Sequence, residues 1–405
     1  MSDKADYTKS AFETAMIHAG QHKDPDNGAL VTPIFQTTTF AFDNVDVPAA
    51  INSGKKLGYT YTRVKNPTTI QLEDKLSLVE GGEASVATSS GVGAISSTLL
   101  TLLNPGDHII GSSVVYGITQ LIFHHLERFG IEVTQVDTAD TQAVKKAVKN
   151  NTKLIYVETP ANPTLKISDI SGISEIAHEA GALVVVDSTF APPPMQFCLK
   201  LGADIVIHST TKYMCGHGDA IGGIVVGKKD LIEAIRTDGV KTICGDCPSP
   251  FNSWLTLRGL KTEALRIKKH SENAMRLAQY LEGQSKYIKK VNYPGLKSHP
   301  QHELAVRQMN GLYGGVISFE MNDVNGKSGY EVCQELLNNL NICSLAVSLG
   351  DVDTLIEHPA SMTHRFYTKE EMAAANITDR LIRLSVGLED VDDLIEDFEQ
   401  AFAQL

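Results

Sequence analysis

The chain has 405 residues, 42% of them apolar, and a formal net charge of −12. At roughly 150 residues per domain, this length predicts two or three domains with a core that needs no disulfide or structural metal. The composition excludes a disordered or fibrous protein. The acidic balance argues against a nucleic-acid-binding protein, which must bring cations to phosphates.

We expect neither a signal peptide nor a membrane span. The first twenty residues lack an apolar core, and no apolar run approaches the roughly 18 residues that a membrane helix needs. The six cysteines are scattered from Cys198 to Cys343, which predicts reduced thiols and a cytoplasmic location. The one C-x-x-C pair, Cys244 and Cys247, has no second pair to complete a zinc site, so we expect two unlinked thiols and no metal.

Short apolar runs alternate with segments of helical periodicity in the middle of the chain, which is typical of a parallel sheet covered by helices on both faces. The runs lie at 108–111, 131–136, 154–157, 182–186 and 205–208.

After about Arg258 the pattern changes. A long helical segment from Leu260 to Leu281 precedes predicted strands at 315–321 and 381–386 and a closing amphipathic helix. We therefore predict an α/β fold in three parts: an N-terminal arm over 1–60, a large, mostly parallel sheet domain over 61–257, and a smaller α+β domain over 258–405.

Polar residues follow the predicted strands at 182–186 and 205–208, at the edge where open parallel sheets bind ligands. Asp187 follows five apolar residues and is costly to bury unless it meets a cation or accepts backbone hydrogen bonds. Ser209, Thr211 and Lys212 follow the next strand and offer two hydroxyls and an amine. Taken alone, Lys212 would more readily be read as a solvated loop lysine.

A segment of small residues from Val86 to Gly93 leads into a helical pattern. Such residues let a phosphate approach the amides at the start of a helix, where the dipole favours negative charge. An ordinary Ser/Gly helix cap would look the same. The segment lacks both G-x-G-x-x-G and the Walker lysine, which argues against a dinucleotide or nucleoside-triphosphate site.

Together, the phosphate cradle, the buried carboxylate and the lysine fit pyridoxal 5′-phosphate better than any one of them does alone. A lysine holds this cofactor's aldehyde as a Schiff base and later moves protons. A carboxylate keeps the pyridine nitrogen protonated, so that the ring acts as an electron sink.

The sequence resembles the trans-sulfuration (Cys/Met metabolism) family of pyridoxal-phosphate enzymes over nearly its whole length. The blocks that carry the resemblance are 17–20, 59–63 with Asn66 and Pro67, 158–163, 209–213, 358–364 and 384–389. The resemblance implies the fold type I of pyridoxal-phosphate transferases and a homo-oligomer, a tetramer built of dimers that share active sites.

The same resemblance assigns the site residues. It implies Lys212 as the Schiff-base lysine and Asp187 as the partner of the pyridine nitrogen. The implied phosphate-binding residues are Gly91, Val92, Ser209 and Thr211, completed by Tyr61 and Arg63 of a neighbouring subunit. Tyr116 would stack on the ring and act as an acid toward the departing sulfur. The substrate carboxylate would be held by Arg383, Ser348 and Asn162, and a guanidinium suits a planar carboxylate.

The activity that the resemblance implies is that of a carbon–sulfur lyase, nearest to the methionine γ-lyases, which convert L-methionine to methanethiol, 2-oxobutyrate and ammonia. Val347 is apolar where many cystathionine-handling members have Glu, which suits a methylthio group. Ile118 and Thr242 stand where methionine γ-lyases have Cys and an acid. These departures leave homocysteine, cystathionine or cysteine open as further substrates.

Several other activities also stay open. O-acetylhomoserine sulfhydrylase, cystathionine γ-lyase and cystathionine γ-synthase are members of the same family. The absent glycine fingerprint argues against a dehydrogenase. The intact set of Lys212, Asp187 and Tyr116 argues against a non-catalytic binding relative.

Overall fold

The computed structural model describes residues 7–21, 24 and 27–405. The part of the predicted arm at 1–6, 22–23 and 25–26 lies outside the described residues. The strands are β1 (Ala84–Thr88), β2 (His108–Ser112), β3 (Glu132–Val136), β4 (Thr152–Glu158), β5 (Leu183–Asp187), β6 (Ile205–His208), β7 (Gly223–Gly227), β8 (Ile288–Asn292), β9 (Val316–Met321), β10 (Ser344–Leu345), β11 (Leu355–Glu357) and β12 (Leu381–Ser385).

The α-helices are α1 (Phe12–His18), α2 (Asp46–Asn52), α3 (Pro67–Glu80), α4 (Gly91–Leu102), α5 (Gly117–Arg128), α6 (Thr141–Ala147), α7 (Ile170–Glu179), α8 (Lys229–Ala234), α9 (Pro250–Leu260), α10 (Glu263–Gly283), α11 (His302–Gln308), α12 (Gly329–Asn339), α13 (Lys369–Ala374) and α14 (Val391–Phe402). Two short 3₁₀ segments, Tyr7–Lys9 and Cys198–Leu201, and a π-helix, Ile235–Cys244, complete the described elements.

The first seven strands form one sheet in the order β1-β7-β6-β5-β4-β2-β3. The run from β6 to β3 is parallel, whereas β7 is antiparallel to both of its neighbours. The predicted mostly parallel sheet is therefore confirmed. Its apolar strands are buried on both faces, with Val185 in one hydrophobic cluster and Val184 in another.

The sequence-based prediction missed β1 and β7. Glycines bound β7 at both ends, and glycine weakens a strand pattern. The structure needs a glycine at 223, because a Cβ there would lie 2.4 Å from the carbonyl oxygen of Ser90. The glycine thus allows β7 to pass close to the loop that precedes α4.

The last five strands form a second, smaller sheet in the order β10-β11-β12-β9-β8. It is antiparallel except for the pair β10 and β11. Its core includes apolar residues of α10, α12 and α14, with Phe319 of β9 edge-on to Phe398 of α14. The two strands predicted here and the closing helix are present.

A fourth hydrophobic cluster joins the two sheets. It contains Tyr213, which lies between β6 and β7 of the large sheet, together with Ile267 of α10 and Val316 of β9. The Tyr213 hydroxyl accepts a hydrogen bond of 2.8 Å from the amide of Gly315. This contact holds the small sheet against the carboxyl ends of the parallel strands. The exact domain limits, 60 and 257, stay a prediction.

The segment that precedes Tyr61 is partly docked and partly exposed. Met16 of α1 is buried, and its carbonyl oxygen accepts a 2.7 Å hydrogen bond from the Lys75 amine of α3. By contrast, Val45 and Leu57 are 82% and 95% exposed. The segment is therefore docked at α1 and open to solvent at these two side chains.

Candidate active site

A cavity of about 490 Å³ lies between the carboxyl ends of β4 to β6 and the small sheet. A volume of this size suits a cofactor or a small substrate. All of the sequence-predicted site residues except Tyr61 and Arg63 line it: Gly91, Val92, Tyr116, Ile118, Asn162, Asp187, Ser209, Thr211, Lys212, Ser348 and Arg383.

Lys212 follows β6 and places its amine inside the cavity. The amine donates a 2.7 Å hydrogen bond to the Ser348 hydroxyl, which comes from the small sheet's side of the cavity. Burial and the nearby Arg383 guanidinium lower the pKa of Lys212 to about 8. An appreciable fraction of the amine is therefore neutral near pH 7, as a nucleophile or a proton acceptor must be.

Asp187 is the last residue of β5 and is buried. One carboxylate oxygen accepts hydrogen bonds from the amide and hydroxyl of Thr189, at 3.0 and 2.6 Å. The other accepts a 3.1 Å hydrogen bond from the Tyr156 hydroxyl. Burial raises the pKa of Asp187 in spite of these bonds. A cationic group in the cavity would stabilise the ionised form.

Glu158 is a site residue that the sequence reasoning did not single out. It ends β4 and pairs in register with Asp187. Its two oxygens accept hydrogen bonds from the amides of Tyr116, at 2.9 Å, and Asn162, at 3.1 Å. Burial and the neighbouring Asp187 raise the pKa of Glu158 well above its usual value. The signal that identified Asp187, a carboxylate directly after an apolar strand, is present here too.

The start of α4 faces the cavity as a cradle for an anion. The Ser90 hydroxyl caps the helix by accepting a 3.0 Å hydrogen bond from the amide of Gly93. The preceding amides, of Gly91 and Val92, have no partner within the helix. A Cβ at position 91 would lie 2.7 Å from the Cβ of Ser209, so only glycine lets this turn approach the end of β6 so closely.

Asp246 also holds this turn in place, and the sequence reasoning did not single it out. It lies inside the C-x-x-C segment, whose two cysteines are free, as expected. One Asp246 oxygen accepts hydrogen bonds from the Ser89 amide, at 2.8 Å, and from the Ser89 hydroxyl. Nothing in the spacing of the C-x-x-C pair signals this contact, because Asp246 is remote from Ser89 in the sequence.

Arg383 of β12 enters the cavity from the small sheet and is almost fully buried. Its guanidinium donates to the Asn162 side-chain oxygen at 3.0 Å and to the Ser348 carbonyl at 2.7 Å. It also forms a 2.9 Å ion pair with Glu357, its register partner on β11. Sequence reasoning missed Glu357. Its contact with Arg383 follows from the register of β11 and β12, which no sequence pattern indicates. Among the described residues, the Arg383 Nε has no hydrogen-bond partner.

Tyr116 precedes the first residue of α5 and is half-buried, with its amide held by Glu158. Burial and the negative charge of Glu158 raise the pKa of Tyr116, so its hydroxyl remains protonated at neutral pH. Ile118 and Val347 line the cavity nearby. Thr242, in contrast, is exposed on the π-helix, donates to the Thr237 carbonyl and does not line the cavity.

Tyr61 and Arg63 lie apart from this cavity. The Tyr61 side chain is 43% exposed, and the Arg63 guanidinium donates a 2.7 Å hydrogen bond to the Lys241 carbonyl. Within one chain these two residues do not meet Lys212.

The comparisons with known proteins agree on one family. A family model described as "Cys/Met metabolism PLP-dependent enzyme" matches residues 13–403. The chain belongs to this family. It is therefore a pyridoxal-phosphate enzyme, and the resemblance inferred from the sequence blocks is confirmed.

Family members resemble the chain from end to end. The L-methionine γ-lyase of Fusobacterium nucleatum subsp. polymorphum is 51% identical over 399 residues, 98% of this chain and 99% of the relative. The L-methionine γ-lyase of Porphyromonas gingivalis is 47% identical over 404 residues, 99% of each chain. A putative O-acetylhomoserine (thiol)-lyase of Campylobacter jejuni, solved with a pyridoxyl-lysine phosphate, matches with a TM-score of 0.91 and 35% identity over 97% of this chain and 99% of that one.

The residues of the cavity fit the family's cofactor. The close approach of Gly91 to Ser209 brings the first turn of α4 to the cavity, where its amides suit a phosphate. Asp187 is buried and, among the described residues, forms no ion pair, so a pyridinium nitrogen would stabilise its ionised form. Lys212 places an amine in the same cavity, as a group that binds an aldehyde must. Within the described residues, no helix is long and apolar enough to cross a membrane.

Proposed function

We propose that this enzyme is an L-methionine γ-lyase, which splits L-methionine and water into methanethiol, 2-oxobutyrate and ammonia. The observation that carries the proposal is the placement of the Lys212 amine, with its lowered pKa, in a cavity that also holds Arg383 and an apolar side at Ile118 and Val347. Full-length relatives that are L-methionine γ-lyases support it.

The bound cofactor would supply an electron sink for the bonds at the α- and β-carbons of the substrate. We propose that Asp187 holds its ring nitrogen, that Lys212 binds its aldehyde, and that the phosphate lies at Gly91, Val92, Ser209 and Thr211. The charges of the cavity support these positions. The start of α4 carries partial positive charge, which suits the phosphate, and the carboxylate at the end of β5 suits the ring nitrogen.

Arg383 would bind the substrate carboxylate through its fork of N–H groups. The neighbouring Asn162 and Ser348 keep the guanidinium in place, because both accept hydrogen bonds from it. Glu357 neutralises part of its charge, which lowers the cost of burying an arginine. The substrate's α-carbon would then lie beside the Lys212 amine.

Lys212 would take the α-proton of the substrate as a general base. Its lowered pKa favours this role, since a neutral amine is required. Tyr116, whose hydroxyl is held in the protonated form, would give a proton to the departing sulfur. Ile118 and Val347 would contact the methyl group and exclude water from it.

A substrate panel tests the proposed function. We expect the purified holoenzyme to release methanethiol and 2-oxobutyrate from L-methionine in equal amounts, and Lys212→Ala to lose about 10²- to 10⁴-fold in turnover with its fold intact. The panel includes homocysteine, cystathionine, cysteine and O-acetylhomoserine with sulfide. Formation of homocysteine from the last pair, without 2-oxobutyrate from methionine, would instead assign a sulfhydrylase.

We further propose a homotetramer built of dimers in which Tyr61 and Arg63 complete the phosphate site of the neighbouring subunit. Their distance from the cavity of their own chain and the exposed apolar residues Val45 and Leu57 support this arrangement. A cytoplasmic location is proposed from the free thiols, four of which are buried and unpaired: Cys198, Cys215, Cys333 and Cys343.

A further inference from the structure

A buried pair of ionisable side chains lies beside the end of β5 and has no role in the proposed reaction. His208 ends β6 and is 1% exposed, and Glu80 ends α3 and is fully buried. The Nε2 atom of His208 forms a hydrogen bond and an ion pair with the Glu80 carboxylate. Neither side chain lines the cavity. Any effect of the pair on the site must therefore pass through a residue that does line it.

The hydrogen-bond partners of His208 favour a doubly protonated ring. Its Nδ1 atom lies 3.2 Å from the carbonyl oxygen of Ser188, a group that can only accept a hydrogen bond. Its Nε2 atom faces the carboxylate of Glu80, which is also an acceptor when ionised. A neutral imidazole has one N–H and could donate to only one of these two groups. An imidazolium donates to both, so the pair is best satisfied as a positive ring beside a negative carboxylate.

The ionisable groups near Glu80 do not oppose this charge state. Burial raises the pKa of Glu263, at the start of α10, to about 8, so that carboxyl is mostly neutral at pH 7, and the nearby Arg266 is positive. Burial likewise raises the pKa of the Cys198 thiol to about 12. The second oxygen of Glu80 has no hydrogen-bond partner among the described residues. The imidazolium is therefore the group that compensates the charge of this buried carboxylate.

The positive ring lies close to the carboxylate of Asp187. Strands β5 and β6 pair in register, with Asp187 opposite Ile207. The carbonyl that His208 contacts belongs to Ser188, the residue after Asp187. Burial raises the pKa of Asp187, whereas the hydrogen bonds from Thr189 and the charge of His208 act in the opposite direction. An imidazolium at this position thus offsets part of the cost of keeping a buried carboxylate ionised.

We propose that His208, paired with Glu80, keeps Asp187 ionised and is thereby a positioning residue for the proton on the cofactor's ring nitrogen. This inference rests on the contact between Asp187 and that nitrogen in the proposed function, and it adds two residues that do not touch the cofactor. With an uncharged side chain at position 208, the buried Asp187 would take up a proton and would no longer stabilise a positive ring nitrogen. The cofactor would then be a weaker electron sink.

A cofactor analogue without the ring nitrogen separates this electrostatic role from a packing role. In 1-deaza-pyridoxal phosphate a C–H group replaces the nitrogen, and the rest of the molecule is unchanged. We measure the Kd of both ligands by fluorescence titration of the cofactor-free protein. His208→Gln is expected to raise the Kd for pyridoxal phosphate about tenfold, which corresponds to one pKa unit at Asp187. The same variant should not weaken binding of the analogue, whereas a side chain that only fills space would weaken both ligands.

The ring nitrogen itself provides a second readout. In holoenzyme loaded with ¹⁵N-labelled pyridoxal phosphate, the ¹⁵N chemical shift distinguishes a protonated from a neutral ring nitrogen. At pH 7 we expect the protonated value in the wild type and a move toward the neutral value in His208→Gln. Glu80→Gln should act in the same direction, because an amide stabilises an imidazolium less than a carboxylate does. A neutral ring nitrogen in the wild-type holoenzyme would overturn the proposal without the use of any variant.

Two controls complete the experiment. His108→Gln removes another buried histidine, the first residue of β2, whose ring nitrogens both contact threonine hydroxyls, and it should change neither the Kd nor the chemical shift. In an Asp187→Asn background, His208→Gln should have no additional effect on the Kd for pyridoxal phosphate. Equal weakening of both ligands, no weakening of either, or an undiminished effect in that background would contradict the proposal. Failure of the wild-type enzyme on methionine, with these results intact, would instead contradict only the proposed γ-lyase function.

Discussion

Two lysine contacts show how burial changes the chemistry of a single residue. The Lys212 amine is held between Ser348 and the positive charge of Arg383, and its pKa falls to about 8. Lys75, which donates to the Met16 carbonyl in a buried contact, has a pKa of about 7 for the same main reason, desolvation. Only Lys212 faces a cavity, so only there does the neutral amine meet a reactant.

The lowered pKa of Lys212 predicts the pH dependence of cofactor capture. Only the neutral amine attacks an aldehyde, so the capture rate of the cofactor-free protein should rise about tenfold from pH 7 to pH 9 and then level off, as a group with a pKa of about 8 requires. A lysine of ordinary pKa would keep gaining beyond pH 10. Stopped-flow absorbance measures the capture rate, with free Nα-acetyl-lysine as the matched reference amine. A rate that rises steadily through pH 10 would contradict the lowered pKa of Lys212.

At this scale the sequence pointed to residues that line the cavity more readily than to the residues that hold them in place. Asp187 and Lys212 could be singled out because the first ends the apolar run of β5 and the second lies four residues after β6. Glu158 carries the same signal, but its hydrogen bonds to the amides of Tyr116 and Asn162 depend on how two loops fold over β4. Glu357 could not be predicted, because its ion pair with Arg383 depends on the register of the short strands β11 and β12.

At the scale of elements, the start of α4 depends on the loop that follows the π-helix. Asp246 holds Ser89 through its amide and hydroxyl, directly before the turn with the free amides. A Cβ at position 93 would lie 1.8 Å from an Asp246 oxygen, so the helix and the loop are in close contact. The sequence predicted the helix and the small residues, but not the distant segment that fixes them.

Asp246→Ala should therefore weaken cofactor binding more than it slows the reaction. The loss of hydrogen bonds to a carboxylate is worth about 1.5–3 kcal/mol, so we expect the Kd for pyridoxal phosphate to rise about tenfold or more. At saturating cofactor, kcat should stay within about threefold of wild type. Fluorescence titration of the cofactor-free protein measures the Kd.

Two further variants sharpen this test. Asp246→Asn keeps an acceptor oxygen for Ser89 and should restore much of the affinity. Asp238→Ala removes an exposed carboxylate from the neighbouring π-helix and is the matched control. If all three variants bound the cofactor as tightly as wild type, the loop would have no part in holding α4.

At the scale of the whole molecule, residues associated with both sheets line the cavity, whereas none of the described residues of the N-terminal arm does. Asp187 ends β5 and Lys212 follows β6 of the large sheet, whereas Arg383 belongs to β12 of the small sheet and Ser348 to the loop between β10 and β11. Sequence patterns predicted both sheets, because strands and helices of this length carry a clear periodicity. They did not predict β7, an antiparallel strand whose terminal glycines leave its pattern weak and pack closely against neighbouring backbone.

The proposed sharing of sites between subunits predicts recovery in a mixture of two inactive variants. Arg63→Ala and Lys212→Ala should each be strongly impaired. In a hybrid dimer one site has Lys212 from one chain and Arg63 from the other, so random reassociation should restore about a quarter of wild-type activity. Activity is measured after the variants are unfolded and refolded together. No recovery, in a mixture shown by tagged purification to contain hybrids, would place both residues in the same site of one chain.

Ser348 adopts a φ of +89°, a conformation that side chains other than glycine rarely accept. Its hydroxyl contacts the amine of Lys212, and its carbonyl contacts the guanidinium of Arg383. The proposed general base and the proposed carboxylate-binding residue therefore contact one strained residue, and a change there would alter both at once. An engineer who wants a new leaving group at an undiminished rate should keep position 348 fixed and build variant libraries at Ile118 and Val347.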